Sequence, residues 1–64
     1  ENPLSDRERE VLRLAAEGMT TDEIAGALFL TRGTVRNYLS SAIQKLEVQT
    51  RQQAVKKATD KGWL

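Results

Sequence analysis

Apolar positions in this chain recur with a helical period, and no stretch alternates as a strand would. Val35, Leu39, Ala42 and Leu46 follow one another at spacings of four, three and four, which makes one stripe along a helix of 3.6 residues per turn. Val11, Leu12, Leu14 and Ala15 supply an apolar face earlier in the chain. Ile24, Ala25 and Leu28 supply a second, and Ala54, Val55 and Ala58 a last one. Four helices are expected, over about residues 6–17, 21–28, 32–46 and 51–61. Together they make one all-α domain across residues 1–64.

The punctuation agrees with the periodicity. Ser5 with Glu8, Thr20 with Glu23 and Thr50 with Gln53 each form a capping box: a hydroxyl accepts the N3 amide while the N3 side chain reaches back. Thr31 caps the third helix without such a partner. Met19 with Ile24, and Leu30 with Val35, are spaced to staple the starts of helices two and three. Gly18 and Gly62 are cheap left-handed stops. Phe29 and Leu30 make a short connection, and Trp63 and Leu64 are expected to fold back as a plug.

Composition narrows the chemistry. A chain of 64 residues without cysteine or histidine has no disulfide framework and lacks the commonest metal ligand and general base. No metal or cofactor is expected. Glu8, Glu10 and Glu23 have capping or surface explanations, and no glycine-rich phosphate loop or nucleophile motif occurs, so an enzyme is not expected. No apolar run approaches the roughly 20 residues that span a bilayer. The chain reads as soluble and cytoplasmic. Its charge is split unevenly. Residues 1–28 hold three basic and seven acidic side chains, a net −4, whereas residues 29–64 hold seven basic and two acidic ones, a net +5. That asymmetry suits a polyanionic partner, or simply a dipolar surface.

The third helix carries the most information. Opposite its apolar stripe lie Gly33, Asn37, Ser40 and Gln44, with Arg36 and Ser41 at the edges, and this face has no acidic residue. An ordinary solvated face mixes Glu with Lys. Arg36 suits guanine and Asn37 suits adenine in a major groove, and Ser40 can bond a base edge or a phosphate. Gly33 leaves room for close approach. A short helix, a tight turn and a longer amphipathic helix also match the helix-turn-helix arrangement. Thr20, Thr21, Thr31 and Thr34 cluster where phosphates would be met. Capping explains Thr20, while Thr34 fits capping and phosphate contact equally.

The residues resemble a family. Leu4 to Leu12 with Glu17 and Gly18 is similar to the opening of LuxR-type (NarL/FixJ-type) effector domains. Glu23-Ile24-Ala25 with Leu28, Leu30 and Thr31 resembles their helix-turn. Gly33 to Tyr38 with Lys45 and Leu46 resembles the recognition helix, and Arg51, Ala54, Ala58 and Gly62 resemble the fourth helix. The likeness covers nearly the whole chain, and the run from Gly33 to Ile43 is closest to a DesR-like subgroup. The resemblance implies the output domain of a bacterial transcription regulator of the two-component response-regulator kind. Its partner is double-stranded DNA with paired half-sites. Base contacts fall on Arg36, Asn37 and Ser40, and backbone contacts on Thr20, Thr31, Thr34, Tyr38 and Lys45. The resemblance also implies a homodimer through the fourth helix, with Val48, Gln52 and Val55 expected at the contact. By the same resemblance an upstream receiver or sensor domain is expected outside this sequence, with RNA polymerase as a further expected partner.

Two departures stand out. The family has glycine after the Lys-Leu pair where this chain has Glu47, so either the left-handed stop is strained or the turn differs. Tyr38 replaces a common histidine but keeps a hydroxyl for phosphate. Two other readings compete: a protein-interaction module, which leaves the acid-free face without a purpose, and a sigma-factor region, which lacks the Arg51-to-Gly62 pattern.

Overall fold

Hydroxyl side chains start every helix. In the computed structural model, which describes residues 1–64, Ser5, Thr20, Thr31 and Thr50 each accept the N3 amide of the helix they cap. The helices are α1 (Asp6–Ala16), α2 (Thr21–Leu28), α3 (Arg32–Lys45) and α4 (Arg51–Asp60). The three capping boxes expected for α1, α2 and α4 are present, and Thr31 has no carboxylate or amide partner. Helices α1, α3 and α4 each end one residue before the expected position. The residues in question, Glu17, Leu46 and Lys61, are the half-in caps of the last turn.

The four ends share one geometry. Gly18, Phe29, Glu47 and Gly62 all have positive φ. After each of them an amide reaches back five residues: Met19 to Leu14, Leu30 to Ala25, Val48 to Ile43 and Trp63 to Ala58. This satisfies carbonyls that a helix end leaves open. Gly18 and Gly62 adopt the conformation freely, at φ 88° and 73°. Phe29 and Glu47 adopt it with a side chain, at φ 57° and 58°, which costs about 1–2 kcal/mol each. The doubt at Glu47 therefore resolves in favour of a strained left-handed stop.

Leu12, Ile24, Leu46, Val11 and Val35 are fully buried at the centre, with Ala42, Ala54 and Ala58 letting the helices approach closely. Leu4, ahead of α1, also joins this core. Trp63 and Leu64 are half-buried against it, as the plug reading expects. The Trp63 carbonyl accepts from Asn2 Nδ2 at 3.1 Å and from Arg9 Nε at 3.0 Å, which closes the two chain ends together. Helix α4 is pinned at two points. Arg51 donates to the Met19 carbonyl and, at 3.4 Å, to the Thr21 hydroxyl, while Lys57 Nζ donates to the Leu46 carbonyl at 2.7 Å. Val55, expected to point inward with Ala54 and Ala58, is only half-buried.

Glu8 is the one buried charged residue. Its Oε1 accepts from the Ser5 amide at 2.8 Å and from Lys45 Nζ at 2.9 Å, and its Oε2 accepts from the Ser41 hydroxyl at 2.5 Å. Burial pushes its pKa up, but the bonds from Ser41, Lys45 and Ser5, with the Lys45 charge, outweigh that and lower it from 4.5 to about 2. Ser41 thus faces α1, not the rim of the acid-free face.

Two outcomes follow from these features. Because the folded pKa of Glu8 lies below its unfolded value, the stability it contributes is complete above the unfolded pKa and disappears as pH falls towards about 2. The amount is on the order of 3 kcal/mol. Urea unfolding of wild type across that range should show this loss, and Glu8→Gln should be less stable at neutral pH and lose most of the dependence. If the variant kept the full wild-type slope, the carboxylate would not be the titrating group. Glu47→Gly should raise stability by about 0.5–1 kcal/mol, the relief of strain being partly offset by the freer unfolded chain. A denaturation midpoint that stays put or falls would contradict the strained stop.

Candidate nucleic-acid interface

The expected reading face exists as a surface. The buried residues of α3 are Val35, Leu39 and Ala42, and this stripe turns Gly33, Asn37, Ser40 and Gln44 outward, where all four are exposed. Arg36 is exposed beside them and is absent from every ion pair of the structure. The three expected base-reading side chains Arg36, Asn37 and Ser40 therefore share one accessible strip. The first turn of α3 has no acidic residue.

Hydroxyls gather at the start of this strip. Thr31 Oγ1 accepts the Thr34 amide at 3.1 Å and donates to Thr34 Oγ1 at 2.9 Å. Thr34 accepts in that pair, so its own O–H remains able to donate. Thr31 is exposed and Thr34 half-buried. Thr20 is exposed but occupied as a cap: its hydroxyl takes the Glu23 amide at 3.1 Å and its amide gives to Glu23 Oε1 at 2.8 Å. Tyr38 is half-buried against the core.

Ion pairs redistribute the charge counted along the chain. Of the seven cations after residue 28, Arg32 is held by Asp22 at 2.5 and 3.1 Å, Lys45 by Glu8 and Lys56 by Asp60 at 3.2 Å. Arg51 and Lys57 serve carbonyls, and Lys61 lies 5.9 Å from the centre of the Trp63 ring. Lys45 remains 41% exposed at its side chain while bonded to Glu8. Removing it would strip a partner from a buried carboxylate, so it cannot be treated as a free surface cation. Sequence spacing alone does not reveal this, although Ser41 and Lys45, four residues apart on one helix face, are positioned to meet a common acceptor.

The three expected dimer residues all reach the surface, Val48 and Val55 only in part. Gln52 is exposed and Val55 half-exposed. Both line a groove of about 420 Å³ between the end of α1 and α4, along with Ala15, Ala16, Gly18, Met19, Arg51 and Lys56. Val48 lies outside that groove and packs partly against the core. No helix is long and apolar enough to cross a membrane.

Short α2, a tight turn and an α3 with an exposed acid-free face define a helix-turn-helix DNA-binding module. Comparison with known proteins identifies which kind. Residues 2–58 match the family described as bacterial regulatory proteins, luxR family. The chain is 55% identical over 64 residues to the "Uncharacterized transcriptional regulatory protein YvfU" of Bacillus subtilis, covering all of this chain and 32% of that protein. It is 53% identical over 62 residues to the transcriptional regulatory protein DesR of the same organism, covering 97% of this chain and 31% of DesR. The solved structure of the transcription factor GerE superposes with a TM-score of 0.93 at 38% identity, covering 100% of this chain and 96% of GerE. The chain belongs to the luxR family of bacterial regulatory proteins. It spans about a third of the length of YvfU and DesR.

Proposed function

We propose that this chain reads duplex DNA by seating α3 in the major groove, as the output domain of a longer two-component response regulator. The observation that carries the reading is the exposed, acid-free strip of α3 with its unpaired Arg36. Arg36 would take guanine, Asn37 adenine, and Ser40 a base edge or phosphate. Thr31, Thr34 and Tyr38 would hold the backbone. Thr20 keeps an O–H able to donate to a phosphate, since its hydroxyl only accepts in the cap, whereas Lys45 contributes less than its position suggests because Glu8 engages its ammonium. That this chain covers only about a third of YvfU and DesR supports a further domain in the same protein, which the family resemblance makes an upstream receiver or sensor, and a DNA target fits a cytoplasmic protein. Contact with RNA polymerase belongs to the same regulatory role. Catalysis has no part in it.

A second copy bound through α4 would let two α3 helices meet paired half-sites. The groove beside Gln52 and Val55 supports such a contact, since apolar area there is left uncovered by the core.

Binding of a duplex selected from a random pool tests the main reading. Affinity should fall steeply with salt, with a log–log slope of about 0.9 per phosphate neutralised. Across single-base variants of that duplex, Asn37→Ala should cost about 1–3 kcal/mol on the best site and flatten preference at one position. Flat salt dependence, or a uniform loss across the panel, would count against the assignment. Val55→Asp should keep the fold by circular dichroism yet reduce the advantage of paired over single half-sites. An unchanged advantage moves the dimer contact elsewhere.

A further inference from the structure

Gly33 has no reason to be glycine that lies inside this chain. Gly18 and Gly62 need their glycines because φ is 88° and 73°. Gly33 sits in the first turn of α3 with ordinary helical geometry, and a Cβ built there would meet only Thr31 Oγ1, at 4.0 Å, an ordinary contact. Alanine is the better helix former, so the fold by itself favours alanine here. The neighbouring side chains do not cover it. The Arg32 guanidinium is drawn to Asp22 on α2, and the Thr34 hydroxyl accepts from Thr31. The main chain at Gly33 is thus left bare at the head of the row Gly33, Asn37, Ser40, Gln44, in which every residue is exposed.

We infer that Gly33 is the point where the duplex comes closest to the protein main chain, and that its missing side chain serves the DNA and not the fold. The inference rests on the DNA-reading proposal and adds a residue to it. A bare first turn followed by Asn37, Ser40 and the longer Gln44 makes the row thinnest at its start. Helix α3 therefore tips its N-terminal end deepest into the groove, and a methyl group at position 33 stands between helix and duplex.

Gly26 provides a matched control. It is an exposed helical glycine in α2 with nothing within 4 Å of a built Cβ. It lies on α2, outside the acid-free row of α3, and the residue one turn before it, Asp22, is paired with Arg32. Gly26→Ala, Gly33→Ala and Gly33→Leu are compared by thermal melting and by anisotropy titration of the selected duplex. Both alanine variants should melt at or above the wild-type temperature. Gly26→Ala should bind within about twofold of wild type, whereas Gly33→Ala should bind at least about tenfold more weakly and Gly33→Leu more weakly still. Binding of Gly33→Ala within twofold, while Asn37→Ala still loses discrimination, overturns the inference and leaves the reading face standing. A clear drop in melting temperature for Gly33→Ala also overturns it, because the glycine would then be required by the fold. If wild type selects no duplex, the DNA-reading proposal and this inference fall together.

Discussion

One buried carboxylate organises this small domain. Glu8 caps the first turn of α1 and, with the same two oxygens, holds Ser41 and Lys45 on the inner side of α3. Removing a charge from water is costly unless the protein supplies the lost hydrogen bonds. Here three donors do so, and no buried side-chain polar atom of the structure is left without a partner. The consequence for function is orientation. With Ser41 and Lys45 bound to α1, rotation of α3 about its axis is resisted, and the face carrying Arg36, Asn37 and Ser40 is kept outward.

The connections serve the same end at a cost. Phe29 and Glu47 hold left-handed backbone although neither is glycine. Phe29 is also 95% exposed, so it gains no burial in return. What sustains both is the packing on either side: Ile24 and Ala25 before the first turn, Val35 after it, and Leu46 and Ala54 around the second, all buried. A relaxed turn would move α3 relative to α2, or α4 relative to α3, and open that core. The strain is therefore the local cost of the angle that places α3.

Charge illustrates how folding edits a simple count. The basic half of the chain looks ready to bind a polyanion throughout, yet most of its cations serve carboxylates or carbonyls of the fold. Arg36 is exposed and takes part in none of these pairs. Exposed pairs such as Arg32 with Asp22 contribute little stability, but that one shapes the surface by drawing the arginine away from Gly33. Under the proposed DNA reading, specificity would come from a few uncommitted polar groups on α3, with hydroxyls at its start.

The amino-acid sequence by itself determined the four helices and their beginnings, because a cap is a contact between residues three apart and needs no tertiary partner. Ser5, Thr20, Thr31 and Thr50 were legible for that reason, as were the stops at Gly18 and Gly62 and the apolar stripe of Val35, Leu39, Ala42 and Leu46. That stripe also made the opposite, acid-free face of α3 legible, since one side of a helix follows from the other. Tertiary structure alone decided the second role of Glu8, the turning of Ser41 inward, the commitment of Lys45 and Arg51, the burial of Leu4 and the left-handed stops at Phe29 and Glu47. Each of these depends on residues distant in the chain or on packing strong enough to override a local preference. Periodicity and capping record only what neighbours along one helix do to each other; which charge is spent, and which backbone is strained, follows from where the helices meet.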